Sequence, residues 1–137
     1  MTKPVMLTEP AFCPHSLNKY ASLMTTGNGY MGIRASHEEA YTLQTRGMHL
    51  AGLYHRAGKG EINELVNLPD VVGVEISLNG EIFTLSSGVI ESWHRELDFA
   101  SGELRRTLTW RASGGARFAI ESRRFVSAQK LPLFAME

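Results

Sequence analysis

A regular alternation of apolar and polar residues that ends in a two-residue turn most constrains what this chain can fold into. In "VGVEISLNGEIFTL", Val74, Ile76 and Leu78 alternate with polar residues and are followed by Asn79 and Gly80. Side chains that repeat every two residues lie on one face of a β-strand. Asn-Gly readily adopts the positive φ angles of a tight hairpin turn. The segment therefore predicts two antiparallel strands, with the apolar face continuing after the turn.

A second hairpin is predicted in "GELRRTLTWRASGGARFAIESRRF". Leu104 and Trp110 belong to an apolar face that alternates with polar residues, and the Ser-Gly-Gly at 113–115 supplies a turn. Arg106 and Arg124 interrupt the apolar faces of the two strands. Two explanations are open: a β-bulge shifts the register, or the arginines emerge near the edge of the sheet.

One short helix is predicted ahead of these strands. In "HSLNKYASLMTTGNG" apolar side chains recur at helical spacing, with Ser16 as the N-cap and Gly27 as the stop. Many short strands joined by tight turns predict a mainly β fold, an antiparallel β-sandwich with this one N-terminal helix. We expect residues 1–137 to form a single domain. The closing apolar run, Leu131 to Met136, predicts a strand of an incomplete sandwich that belongs to a longer protein.

Charge and cysteine content exclude several classes of function. Lysine plus arginine and aspartate plus glutamate are equal at 14 each, so no net field attracts nucleic acid or an anionic membrane. Cys13 is the single cysteine and has no partner for an internal disulfide. The opening "MTKPVMLTEPAF" lacks the apolar run of a secretion signal, and no run reaches the ~20 residues that span a bilayer. We therefore expect a cytoplasmic protein.

Three glycines in "TTGNGYMGIRAS" formally match the dinucleotide-binding pattern G-x-G-x-x-G. That pattern requires a strand before the glycines and a helix after them, so that the pyrophosphate lies at a helix N-terminus. Here the predicted helix precedes Gly27, Gly29 and Gly32, and a strand follows. We interpret the segment as a structural turn in which glycine permits backbone angles closed to other residues.

Histidine and acidic residues offer two places for site chemistry. The five histidines are scattered, and "SHEEAY" at 36–41 is not the H-E-x-x-H zinc pattern, so we predict no metal site and interpret His37 and its neighbours as exposed turn residues. Glu61, Glu64 and Asp70 are the most concentrated carboxylates. A catalytic pair would require two of them to face one substrate, and a solvated loop with capping acids is the favoured interpretation.

Aromatic rings and planar polar groups suit contact with sugars or with a neighbouring domain, because rings pack on C–H surfaces and amides bind hydroxyls. We predict Asn28, Tyr30, Arg34 and Asn67 as such contact residues. Trp110, on the apolar face of its strand, is predicted to lie in the core instead.

Four segments together resemble, in order and spacing, the N-terminal domain of glycoside hydrolase family 65, which contains inverting phosphorylases of α-glucosidic disaccharides. They are "LNKYASLMTTGNGYMGIRASHEE", "HLAGLYHRAGKGEINELVNLPDVVGVEISLNGEIFTL", "HRELDFASGELRRTLTW" and "ESRRFVSAQKLPLFAME". The resemblance covers Leu17 to Glu137. It implies that this chain is the first part of a larger N-terminal sandwich in a protein several times longer.

The resemblance also implies where the chemistry lies. In the family a helical linker and a catalytic (α/α)6 barrel follow the sandwich, and the catalytic glutamate and the phosphate-binding residues lie in that barrel. No catalytic residue therefore transfers to this chain, which we expect to be inactive alone. The complete enzyme would use inorganic phosphate as co-substrate, with no cofactor, and would release β-glucose 1-phosphate from a disaccharide such as kojibiose or maltose.

Two further roles stay open at this stage. The chain could serve as a free-standing carbohydrate-binding module, for which exposed coplanar aromatics would be the sign. It could equally serve as an oligomerisation module, because an incomplete sandwich exposes strand edges and apolar surface, and a homodimer contact is one form of this. The missing catalytic domain is the partner that the resemblance implies.

Overall fold

The computed structural model describes residues 5–137 as a set of antiparallel sheets with one short helix. Residues 1–4 lie outside the described residues. They are the first part of the N-terminal stretch that was predicted not to be a secretion signal. In chain order the elements are β1 (Met6–Glu9), a 3₁₀ turn (Pro14–Ser16), α1 (Leu17–Leu23), β2 (Thr26–Gly27), β3 (Met31–Ile33), β4 (Met48–Leu50), β5 (Tyr54–His55), β6 (Glu64–Leu65), β7 (Ser77–Leu78), β8 (Glu81–Ile82), β9 (Val89–Asp98), β10 (Glu103–Arg111), β11 (Arg117–Val126) and β12 (Phe134–Met136). This content confirms the mainly β fold with a single N-terminal helix.

The largest sheet has five antiparallel strands in the order β1, β9, β10, β11, β12. Its centre is β10, in which every second residue is buried from Leu104 to Trp110. The residues between them point to the opposite, partly exposed face. The period-two pattern of the sequence therefore gives this sheet one buried inner face and one polar outer face.

Both predicted hairpins are confirmed. In the first, β7 pairs with β8 around Asn79 and Gly80, whose φ angles are 53° and 79°. In the second, β10 pairs with β11 so that Leu108 lies opposite Ile120. The positive φ of the first turn is the conformation that Asn-Gly adopts at low cost.

Three smaller sheets complete the fold: a three-stranded sheet in the order β2, β3, β4 and two hairpins, β5 with β6 and β7 with β8. Strands β2 and β3 contact β11, and residues in and after the β7 to β8 hairpin pack in one cluster with Trp110 on the inner face of the large sheet. Trp110 is fully buried between the layers, where its ring meets that of Phe83 at a centroid distance of 5.2 Å. Its Nε1 donates a hydrogen bond of 2.7 Å to the carbonyl of Ser87. The prediction that Trp110 belongs to the core is confirmed.

The helix is shorter than its pattern predicted. It runs from Leu17 to Leu23, and Ser16 makes no side-chain capping bond. The predicted stop at Gly27 is wrong, because Gly27 already lies in β2, paired with Gly32 of β3. Among residues 5–137, no helix is long and apolar enough to cross a membrane.

The glycine-rich segment forms the β2 to β3 turn, with a helix before it and a strand after it, as predicted. Gly29 has a φ of 85°, which glycine adopts without strain. A Cβ atom on Gly27 would lie 3.0 Å from the carbonyl oxygen of Met31 across the turn. The glycines therefore serve the backbone geometry of a tight strand pair.

Candidate functional site

Three arginines project from neighbouring strands onto the inner face of the large sheet. Arg95 lies on β9, Arg106 on β10 and Arg124 on β11, and they are only 1%, 2% and 3% exposed. Arg106 lies directly opposite Arg95 in the strand register. Burial of three positive charges side by side is unfavourable unless each is paired with a negative charge.

Both explanations offered for Arg106 and Arg124 are wrong. The register shift between β9 and β10 falls at Thr109 and Trp110, away from either arginine. Both arginines lie on internal strands of the sheet and are buried. A charge can occupy an apolar-face position here because acidic partners come from residues 67 and 86 positions away in the chain. Because the partners are so far apart in the sequence, the alternation within one strand does not predict the pairing.

Three glutamates supply the negative charges. Glu39 accepts two hydrogen bonds from Arg106, of 2.8 and 2.7 Å, in a bidentate pair. Glu38 lies between Arg106 and Arg124, with N–O distances of 3.0 and 3.3 Å. Glu9 of β1 accepts a 2.7 Å bond from Arg95. Three carboxylates thus balance three guanidinium groups. We call this set the buried ion network; its members are Glu9, Glu38, Glu39, Arg95, Arg106 and Arg124.

The interpretation of "SHEEAY" as exposed turn residues is wrong. His37, Glu38 and Glu39 are all buried, and they belong to a stretch without regular structure, residues 35–40, that we call the inner segment. A buried stretch of irregular backbone needs hydrogen-bond partners for its polar groups, and outside a strand ladder side chains can supply them. The network arginines provide those partners.

Backbone carbonyls of the inner segment accept hydrogen bonds from arginine side chains. Arg95 donates to the carbonyl of Ala35 at 2.5 Å, and Arg124 donates to that of Ser36 at 2.6 Å. Arg46 donates to the carbonyls of Glu38 and Glu39 at 2.8 and 2.9 Å. Guanidinium groups therefore replace a strand ladder in attaching this segment to the sheet.

His37 lies in the middle of the network without a hydrogen bond from either ring nitrogen to any described residue. Its Nε2 is 3.9 Å from the nearer carboxylate oxygen of Glu9. The rings of Phe12, Trp93 and Tyr41 surround it at centroid distances of 5.6, 5.7 and 6.1 Å. Burial and the nearby arginines hold the pKa of His37 well below its usual value, so the imidazole is neutral at pH 7.

Burial and charge act in opposite directions on the glutamates. Burial raises the pKa of Glu9 by more than its contacts with Arg95 lower it. Burial also acts to raise the pKa of Glu38, but Arg106 and Arg124 outweigh it and the pKa is lowered. Burial lowers the pKa of Arg124 to about 10, which leaves it charged at pH 7.

His37, Glu38 and Glu39 offer ligand atoms within 4.8 Å of one another, as a metal site would. However, Arg106 and Arg124 already hold the carboxylate oxygens through hydrogen bonds and ion pairs. A metal cation would have to displace these groups while surrounded by positive charges. The donor set therefore favours the ion network over a metal centre.

Two of the four predicted contact residues, Asn28 and Arg34, use their polar groups inside the chain. Asn28 donates to the carbonyls of Ser127 and Leu131 at 2.7 and 2.9 Å. Arg34 donates to the carbonyls of Thr45 and Asn18 at 3.2 and 3.3 Å. These bonds join β2, β3 and α1 to neighbouring loops.

The two remaining contact residues differ from each other. Asn67 accepts a 3.0 Å bond from the amide of Met48 and donates to the carbonyl of Arg46 at 3.3 Å. Tyr30 is 37% exposed at the tip of the β2 to β3 turn. Tyr30 and Asn67 are both exposed, but the amide group of Asn67 is already hydrogen-bonded to the backbone. Contact with sugar or another domain stays a prediction for all four residues.

The other candidates do not converge on a catalytic arrangement. Glu61 and Glu64 are exposed, and Asp70 accepts bonds from the amides of Val72 and Gly73 at 2.9 and 3.2 Å. Asp70 also forms an ion pair with the side chain of Arg46. These positions agree with the interpretation of the acids as loop and turn residues.

The two tryptophans, Trp93 and Trp110, are not placed as an exposed pair. Trp93 is half-buried, and its Nε1 donates a 3.0 Å bond to the carbonyl of Glu9. Trp110 is in the core. These two residues therefore do not provide the exposed coplanar rings that we expect of a free-standing sugar-binding module.

Sequence reasoning missed Glu9 and Arg95 as members of the network. One feature of the sequence could have predicted the network: arginines occur at inward-facing positions of three consecutive strands, β9, β10 and β11. Three positive charges on one apolar face require acidic partners elsewhere. The adjacent glutamates of "SHEEAY" are the natural choice.

Comparison with known proteins gives a consistent result. Residues 7–137 match the sequence profile of Glycosyl hydrolase family 65, N-terminal domain. The chain is 72% identical to the kojibiose phosphorylase of Escherichia coli strain K12 over 100% of its own length and 18% of the relative's. It is 44% identical to the kojibiose phosphorylase of Halothermothrix orenii, over 93% of this chain and 16% of that protein.

A solved structure, described provisionally as a kojibiose phosphorylase from the human microbiome, shares the fold. It superposes with a TM-score of 0.82 at 25% identity and covers 96% of this chain but only 19% of its own. The matches extend to other activities, including a nigerose phosphorylase of Lachnoclostridium phytofermentans at 30% identity. The chain thus spans less than a fifth of the length of these relatives, since it covers 16–19% of each.

Proposed function

Because this chain belongs to the N-terminal domain of glycosyl hydrolase family 65, we propose that it is the non-catalytic N-terminal domain of an inverting disaccharide phosphorylase. The observation that carries the proposal is a match over the whole chain to a phosphorylase of which it covers only 18%. On this basis the remaining part of the full-length protein holds the catalytic (α/α)6 barrel.

The state of the acidic residues supports the non-catalytic role. Glycosidic bond cleavage needs a carboxylic acid that reaches the glycosidic oxygen of a bound sugar. The three most buried glutamates, Glu9, Glu38 and Glu39, are bound by arginines and closed off from solvent. A side chain held in this way stabilises the fold and is unable to approach a substrate.

We assign the reaction to the complete protein. A carboxylic acid of the barrel protonates the glycosidic oxygen of an α-glucosidic disaccharide such as kojibiose or maltose. Inorganic phosphate, as co-substrate, attacks the opposite face of the glucosyl ring and inverts the anomeric carbon, which gives β-glucose 1-phosphate and a free sugar. The reaction needs no cofactor.

The domain's part in this protein is to pack against the barrel. Exposed apolar side chains occur on the β5 to β6 hairpin, the arm, which spans residues 52–66; they are Leu53, Tyr54, Ile62 and Leu65. Two-stranded hairpins are marginal in water without a surface to pack on. We assign the arm, together with Tyr30, to the contact with the barrel. A cytoplasmic location and a homodimeric full-length protein complete the proposal.

A phosphorolysis assay tests the non-catalytic role. The purified 137-residue chain is incubated with kojibiose or maltose and inorganic phosphate, and β-glucose 1-phosphate is measured. The E. coli kojibiose phosphorylase serves as the positive control on kojibiose. We expect no product from the chain alone; phosphorolysis by the pure chain, free of other enzymes, would overturn the assignment.

A further inference from the structure

His37 is an ionisable side chain that the proposed function does not use, in a position that tolerates one protonation state only. The ring is 1% exposed and makes no hydrogen bond to the described residues through either nitrogen. A neutral imidazole brings one N–H donor but no charge into this cage of three aromatic rings, so its burial costs much less than that of a charged ring. A protonated imidazole would carry two N–H donors without acceptors at bonding distance.

The charges that face His37 come from every element around it. Glu9 approaches from β1, with its oxygen 3.9 Å from Nε2. The positive charges of Arg95, Arg106 and Arg124 act on the ring from β9, β10 and β11, and that of Arg46 acts on it from the loop before β4. The neighbouring Glu38 and Glu39 point their oxygens at arginines. A proton on the ring would therefore add a positive charge beside four guanidinium groups.

We propose that His37 makes the inner segment an acid-sensitive latch, which stays closed on the large sheet while the imidazole is neutral and opens locally when the ring takes a second proton. The described hydrogen bonds that attach this segment to the large sheet come from arginine side chains, so it can separate from the sheet without breaking the ladder between β10 and β11.

The direction of the pH effect follows from the two states. In the open segment the imidazole titrates near its ordinary pKa of about 6.5, whereas the closed segment holds that pKa well below its usual value. The closed form is therefore fully favoured above pH about 6.5, and each pH unit below it shifts the equilibrium toward the open form by up to about tenfold.

Glu9 acts in the opposite direction. Its raised pKa means that the closed state binds a proton at Glu9 more readily than the open state does. This proton uptake favours closure as the pH falls and so opposes the effect of the histidine. The latch is therefore measured between pH 7.5 and pH 5 as the difference between the unaltered chain and a variant without the imidazole, because Glu9 is present in both.

Amide hydrogen exchange resolves local opening from global unfolding. The reporters are the amides of Ala35 and His37, which donate to Ala21 and Gln44 at 2.9 and 2.7 Å, and the amide of Val74, which donates to Glu38 at 3.0 Å. After correction for intrinsic exchange rates, these amides should open increasingly below pH about 6.5, while the amides of β10 should not follow them.

Two variants complete the test. His37→Phe keeps a ring in the aromatic cage but has no ionisable group, so the acid-dependent opening should disappear. His94→Phe removes a half-exposed histidine of β9, and the opening should persist. Retention of the full pH dependence in His37→Phe, or identical pH dependence of the reporter and β10 amides in the unaltered chain, would overturn the latch.

A second measurement keeps the test decisive if His37→Phe fails to fold. The imidazole of His37 in the unaltered protein can be followed by nuclear magnetic resonance as the pH falls. We expect the closed form to retain a neutral ring, with protonated His37 found only where the reporter amides are open. Ordinary titration near pH 6.5 with the segment still protected would contradict the proposal.

Discussion

Arg106 shows how one residue can break the pattern of its strand and still stabilise the fold. It occupies an inward position between Leu104 and Leu108, both buried. Its guanidinium group contacts Glu38 and Glu39 at 3.0 and 2.7 Å. Loss of the arginine would leave two buried carboxylates with too little positive charge, which costs more than loss of an exposed pair.

Arg106→Met should therefore lower the free energy of unfolding by about 3–5 kcal/mol. The neighbouring Arg105 is a matched control, because it lies on the outer face and pairs with the partly exposed Glu103 at 3.0 Å. Arg105→Met should cost about 1 kcal/mol or less. Urea unfolding of both variants at pH 7 measures the difference, and equal stabilities would refute a structural role for the buried ion network.

At the scale of elements, Asn28 joins the small sheet to the large one. Its side-chain amide donates to the carbonyls of Ser127 and Leu131, which lie between β11 and β12. Its Oδ1 accepts from the amides of Tyr30 and Met31 at 3.0 and 2.8 Å. One side chain thus fixes the β2 to β3 turn and attaches it to a distant loop.

Asn28→Ala removes these four bonds, and we expect a loss of about 2–3 kcal/mol in the free energy of unfolding, since partly buried donors and acceptors lose their partners. Faster exchange of the Met31 amide should accompany it. Asn63→Ala is the control, because Asn63 accepts one exposed bond of 2.9 Å from Arg56. Thermal unfolding that shifts equally in both variants would argue against the joining role.

The elements also show which parts of the fold a sequence can predict. The hairpins β7 to β8 and β10 to β11 are local, so alternation and the Asn-Gly turn are sufficient for them. The inner segment has no such pattern, because arginines far away in the chain satisfy the carbonyls of Ala35 and Ser36. The residues of the candidate site were misassigned for the same reason: their burial depends on pairs that only the tertiary structure forms.

At the scale of the whole molecule, the two sides of the domain differ in chemistry. The outer face of the large sheet carries exposed ion pairs, such as Arg111 and Arg117 with Glu91. The arm exposes large apolar side chains instead, Tyr54 at 60% and Ile62 at 79%. We therefore expect the arm, and not the charged face, to contact the barrel.

A hybrid protein tests this orientation. In the hybrid, residues 1–137 of this chain replace the matching region of the E. coli kojibiose phosphorylase, to which they are 72% identical. Changing Tyr54 and Ile62 together to Ser should leave the stability of the isolated chain within about 0.5 kcal/mol, since both side chains are exposed there. The same change should destabilise the hybrid clearly. Calorimetry of the isolated chain and of the hybrid, each with and without the double change, measures the unfolding temperatures. An unchanged unfolding temperature in the altered hybrid would contradict the orientation.

The activity of the unaltered hybrid is the most direct test of the assignment of this chain as a phosphorylase N-terminal domain. We predict that the hybrid phosphorolyses kojibiose and releases β-glucose 1-phosphate, whereas the E. coli protein without its N-terminal region and the isolated chain do not. A hybrid that folds cooperatively yet produces no β-glucose 1-phosphate would contradict the assignment.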